Sequence, residues 1–137
     1  MRFMVLVKAN PESESGQMPS TEELAEMGAF NEELVKAGIM LAGEGLHPSE
    51  KGARVRFDGQ KRTVANGPFR ESAELVAGFW LWKCASRDEA IAWAKRIPFR
   101  EGEVEVRQVF ESEEFGESMT PELREQEERL RKATSKS

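Results

Sequence analysis

The sequence predicts an α+β fold, an antiparallel sheet with two helices packed on one of its faces. Three observations lead there. Strand-like and helix-like segments follow one another in the order β-α-β-β-hairpin-β-α-β. Both helical segments open on a serine with glutamate three residues on (Ser20 and Glu23, Ser86 and Glu89), the capping box that satisfies two orphan backbone donors reciprocally. The last strand segment, EVEVRQVF over 103–110, alternates at a strict period of two. Two strand–helix–strand units in so short a chain make a split βαβ, ferredoxin-like sheet with both helices on the same face.

Each element has its own local reason. RFMVLVK (2–8) is β-branched and apolar without a breaker, and reads as a strand buried on both faces. ANPESESGQMP is rich in Pro, Ser, Gly and Glu, and reads as a mobile loop. After Ser20, the residues Leu24, Met27, Phe30 and Leu34 fall at helical spacing on one stripe. Lys36 closes the last turn, and Gly38 supplies a left-handed C′ residue. IMLAGEGL (39–46) is a second strand interrupted by glycines, which mark bulges or close backbone approaches. In RVRFDGQKRTV (54–64), Asp58-Gly59 between alternating residues predicts a two-residue hairpin with a type I′ turn. GFWLWKC (78–84) is a strand with Trp80 and Trp82 on one face and Phe79 and Leu81 on the other. The second helix carries Ala90, Ala94 and Ile97 on one side and stops at Pro98.

The expected domain is 1–110. Residues 111–137 form a charged C-terminal arm with eight acids, five bases and few apolar groups. Thr120-Pro121 opens a helix there, with Glu125–Arg129 and Glu128–Lys132 as expected surface pairs and Leu123 and Leu130 as a thin stripe. The arm is expected to be frayed, or laid across a partner subunit.

Composition bounds the function. A net charge of −5 and a pI near 5.1 argue against nucleic acid as the main partner. No basic amphipathic helix, secretory leader or long apolar stretch points to a membrane. One cysteine excludes an intrachain disulfide and suits a reducing, cytoplasmic setting. A sheet covered by helices on one side leaves a bare apolar face, for which the tryptophans of 78–84 are candidates. The economical cover for such a face is a second copy, so a homodimer is expected, or a higher oligomer built from it.

The candidate site residues gather at two strand ends. His47 follows the glycine-interrupted strand, and an imidazole is a natural general base. Glu44 lies between Gly43 and Gly45, where missing side chains leave room for a ligand. The second end is ANGPFRES. Gly67 and Pro68 make a stiff corner, Asn66 brings an amide, Phe69 projects from fixed backbone, and Arg70 with Glu71 adds opposite charges. This corner is either a rigid reversal or the rim of a site for a small polar ligand. No metal is expected, since one His and one Cys stand far apart. No cofactor is expected either, because the glycines form no GxxxxGK phosphate loop. Cys84 reads as a small buried hydrophobe.

NGPFRES resembles the DGPF signature of a branch of the YciI-related family. FMVLVKAN, KAGIMLAGEGLHPS, RVRFDG, GFWLW, SRDEAIAWAKRIP and VEVRQVF are similar to that family's segments in the same order, over about residues 1–110. The resemblance implies a dimeric α+β barrel with two sheets closed face to face. It implies less about activity: some members are proposed enzymes with a His–Asp pair, and DGPF members are often associated with extracytoplasmic-function sigma factors. Two departures bear on that pair. The motif's Asp is Asn66, and the helix from Ser20 to Gly38 has no histidine. Three readings follow: a dimeric small-molecule binding protein, a lyase or isomerase with His47 as base and Glu44 or Glu71 as acid, and an accessory to sigma-factor-linked transcription.

Overall fold

A computed structural model describes residues 1–70 and 74–135. The strands are β1 (Arg2–Lys8), β2 (Met40–Gly45), β3 (Ala53–Asp58), β4 (Lys61–Asn66), β5 (Val76–Lys83) and β6 (Val104–Gln108). The helices are α1 (Pro11–Glu14), α2 (Thr21–Lys36), α3 (Arg87–Ala94) and α4 (Pro121–Ser135). Four strands form an antiparallel sheet in the order β2-β5-β1-β6. α2 joins β1 to β2 and α3 joins β5 to β6, which makes the ferredoxin-like split βαβ arrangement.

Period-two alternation decides what each face carries. Phe3 and Val5 of β1 pair with Trp82 and Trp80 of β5, and all four are buried toward the helices. Phe30 and Leu34 of α2, Ala90 of α3, Ile39 and Ile97 complete this core. The Phe30 ring meets Trp80, Trp82 and Trp93 edge-on at centroid distances of 6.0, 6.4 and 6.3 Å. Such ring pairs contribute about 0.5–1.5 kcal/mol beyond area burial. The expectation that the tryptophans lie on the bare face is therefore corrected. The wide rings fill the gap between sheet and helices, and the open face takes Phe79 and Leu81 with Met4, Leu6 and Ala42. These five are half-buried. β1 accordingly buries one face fully rather than both.

The glycines of β2 serve this packing. A Cβ on Gly43 would lie 2.8 Å from both the Trp80 ring and the Met40 methyl. The space beside Glu44 at Gly43 is thus filled by an indole.

β3 and β4 stand apart as a two-stranded sheet. Asp58 pairs with Lys61, so Gly59 and Gln60 form the loop. Gly59 has φ +60° while Gln60 is not at positive φ, which is the type II′ turn with glycine first. The expected type I′ turn is corrected by one residue in register.

Helix ends follow local rules. Ser20 and Glu23 form the full capping box. Ser86 accepts from Glu89 N, but the Glu89 carboxylate turns to Ala85 N at 3.1 Å, so that box is half closed. The segment read as a mobile loop contains α1, capped reciprocally by Asn10 and Ser13. The arm forms a 3₁₀ segment (Ser112–Ser118) kinked at Gly116, and then α4. Within α4 the described residues form the pair Glu127–Arg131 at 2.8 Å, and neither Glu125–Arg129 nor Glu128–Lys132 forms among them. Arg2 anchors the arm through a bidentate pair with Glu111 at 2.9 and 3.1 Å.

Candidate functional site

The corner after β4 is built from backbone upward. Gly67 N donates to Gly52 O at 2.9 Å, and the Gly67-Pro68 peptide is cis. A Cβ on Gly67 would sit 1.7 Å from the Ser49 carbonyl oxygen, so only glycine fits there. Phe69 N donates to Ser49 Oγ at 3.0 Å. Ser49 in turn donates its hydroxyl to Glu14, and its amide N donates to the same carboxylate at 2.9 Å. Those two bonds hold the Glu14 carboxyl below its ordinary range, the hydroxyl being the larger cause. The Arg54 guanidinium lies 3.9 Å over the Phe69 ring centre. Three separate segments, α1, the 3₁₀ turn Ser49–Lys51 and the end of β4, are therefore locked together.

The predicted residues distribute unevenly around this lock. Gly67 and Phe69 belong to it. Asn66 and Arg70 flank it, exposed, with no side-chain partner among the described residues. His47 is exposed two residues before Ser49, also without a partner among the described residues. Glu44 is on the open sheet face opposite Phe79, in the edge strand, and is exposed. Glu71 lies outside the described residues. Glu14, Ser49 and Arg54 were not foreseen. Asn10-Pro11 with Ser13 is the local signal that could have found α1, because Asn at N-cap and Pro at N1 open helices.

On the other side of α1 is a cleft of about 910 Å³. Its floor is the end of the sheet (Val7, Lys8, Ala77), and its walls include Asn10, Ser13 and Phe99. Arg100 reaches Glu26 across it at 3.8 Å. None of the described site residues predicted from the sequence lines this cleft.

Cys84 is buried, and burial first, then the neighbouring Glu89, pushes its thiol up to about 11. That is the environment of an inert thiol rather than a nucleophile. No group of three or more His, Cys, Asp or Glu side chains that could hold a metal exists among the described residues. No helix among them is long and apolar enough to cross a membrane.

Comparison with known proteins relates the chain to a family, to a curated relative and to a solved structure. The family model described as YCII-related domain matches residues 1–113. An uncharacterized protein of Rhizobium meliloti (strain 1021) is 32% identical over 74 residues, covering 54% of this chain. The chain spans 60% of that relative's length. A solved structure, 5-chloro-2-hydroxyhydroquinone dehydrochlorinase from Burkholderia phenoliruptrix in complex with 2,5-dihydroxybenzoquinone, aligns at TM-score 0.46 and 19% identity. That alignment covers 80% of this chain and 94% of the other.

Proposed function

The chain belongs to the YCII-related domain family, and on that premise we propose that it is a homodimer that binds a small polar anion at the corner of residues 66–70. The observation that carries the reading is the mismatch between backbone and side chains there. The backbone is locked by Glu14 and Ser49, while Asn66, Arg70 and His47 extend from it without partners among the described residues. On a locked backbone, ligand binding has only the side chains left to order, which lowers its entropic cost. Arg54, Arg70 and Lys51 supply cations at this corner beside the carboxylates of Glu14 and Glu50, and a carboxylate or phosphate group is the ligand those cations would meet. The dimer is supported by the open face, where Met4, Leu6, Phe79 and Leu81 stand half-buried on the side away from α2 and α3. On that face Glu105 pairs with Lys8 and Arg107, and Arg2 pairs with Glu111, within the chain, which leaves Lys83 and Glu44 at opposite ends for a partner.

Binding at the corner is favoured over catalysis there. Glu44 is on the sheet face, whereas His47 follows the strand end, and Glu71, the other acid of the lyase reading, lies outside the described residues. The test is a calorimetric titration with small carboxylates and phosphates against wild type, Asn66→Ala and Arg70→Ala. Each variant is expected to weaken binding about tenfold, roughly 1.4 kcal/mol. Equal affinity in all three proteins would remove the corner as the site.

A further inference from the structure

We propose that the β3–β4 hairpin of one copy docks against the C-terminal arm of a second copy, so that two reciprocal clasps hold the dimer. This rests on the homodimer proposed above and assigns roles to the tip of the hairpin, away from Arg54 and Asn66, and to the arm, which that reading leaves idle.

The hairpin is amphipathic in an unusual sense. One of its faces places Val55 opposite Val64 and Phe57 opposite Arg62, and these apolar groups stand in solvent at 49%, 61% and 72% exposure. A two-stranded hairpin with a bare apolar face is marginal by itself and needs cover. The segment from Ala53 to Asn66 carries four bases against one acid.

The arm has the complementary surface. Phe115, Met119, Leu123 and Leu130 line a hollow of about 290 Å³. Phe115, Leu123 and Leu130 are exposed, and the arm holds eight acids against five bases. The one acid lining the hollow, Glu127, is paired with Arg131, but the arm around it is net acidic and the hairpin net basic, so the two segments match in overall charge and in apolar character. The arm also lies largely beyond the matched family segment, which ends at residue 113.

The fold excludes the hairpin of the same chain as the occupant. The hairpin follows β2 and is tied to α1, at the end of the sheet where β1 finishes. The arm follows β6 and is tied to Arg2, where β1 begins. β1 has seven residues, so about 20 Å of sheet separates the two. They also leave from opposite edges, β2 and β6, and so occupy diagonal corners. Face-to-face packing about a two-fold axis along the other diagonal carries each hairpin onto the partner's arm. The same rotation brings Glu44 over the Arg2 and Arg107 corner. Arg2 projects from the open face, in register with Lys83, so the arm's anchor is continuous with the surface that the dimer covers.

The test uses single cysteines in the full chain. Phe57→Cys protein and Leu123→Cys protein are mixed, allowed to exchange subunits and oxidised; both positions are exposed, and Cys84 is buried with a raised thiol, so it does not compete. The expected result is a disulfide-linked pair containing one chain of each kind, formed in the mixture and in neither protein alone. A wild type that sediments as a dimer without that cross-linked product overturns the clasp and leaves the dimer standing. A wild type that sediments as a monomer overturns the dimer and the clasp together.

Discussion

Glu14 shows how one side chain can hold a site it does not touch. Its carboxylate accepts both bonds that Ser49 offers from N–H and O–H, and Ser49 passes the constraint to Phe69 N. Because the folded carboxyl titrates below its ordinary value near 4.5, this stabilisation is in place above that value. It is lost as pH falls through the lower folded value. Glu14→Gln keeps the shape but removes the charge and one strong acceptor. The variant is expected to melt a few degrees lower at neutral pH and to lose less than wild type on acidification to about pH 3. Thermal denaturation across that range is the measurement; parallel curves for the two proteins would show that Glu14 has no part in it. Gly67 is the companion case, where the absence of a side chain lets the corner approach the Ser49 carbonyl.

At the scale of elements, the ends of helices contribute what their sequences promise. The closed Ser20–Glu23 box satisfies two donors, so Ser20→Ala is expected to cost about 1 kcal/mol in chemical denaturation. Cap positions, the existence of the hairpin and the strand periodicities were legible because each is settled within a few residues, whereas the hairpin turn fell one residue further on and the Ser86–Glu89 box closed only halfway. Three features were not. Period two tells which residues of β5 share a face but not which face meets the helices, so Trp80 and Trp82 could be paired with each other yet not placed. α1 has four residues, too few to show helical periodicity, and its Glu14 finds its partner 35 positions away. The separation of β3–β4 from the main sheet is likewise a long-range outcome that no local pattern contains. Within the candidate site the legible part was the glycine corner, which announces itself through backbone chemistry. Glu14 and Ser49 looked like ordinary loop residues because only tertiary structure brings them together.

The whole molecule is asymmetric in its layers, with helices on one side of the sheet and half-buried Met4, Leu6, Phe79 and Leu81 on the other. Placing a charge in the middle of that face tests what covers it. Leu81→Glu is expected to weaken self-association at least tenfold, about 1.4 kcal/mol or more, because an unpaired carboxylate would be desolvated in the interface. Light scattering across a concentration series measures it; a variant that associates like wild type would mean that the copies meet elsewhere.

The three indoles of the chain, Trp80, Trp82 and Trp93, all pack around Phe30 on the helix side. Intrinsic fluorescence is for that reason a gauge of the interior. Its emission should stay blue and steady while small solutes come and go at residues 66–70, and should redden only when the helices lift from the sheet. A spectroscopic assay of occupancy at the corner requires a dye introduced nearby, and an unlabelled sample provides a clean optical record of unfolding.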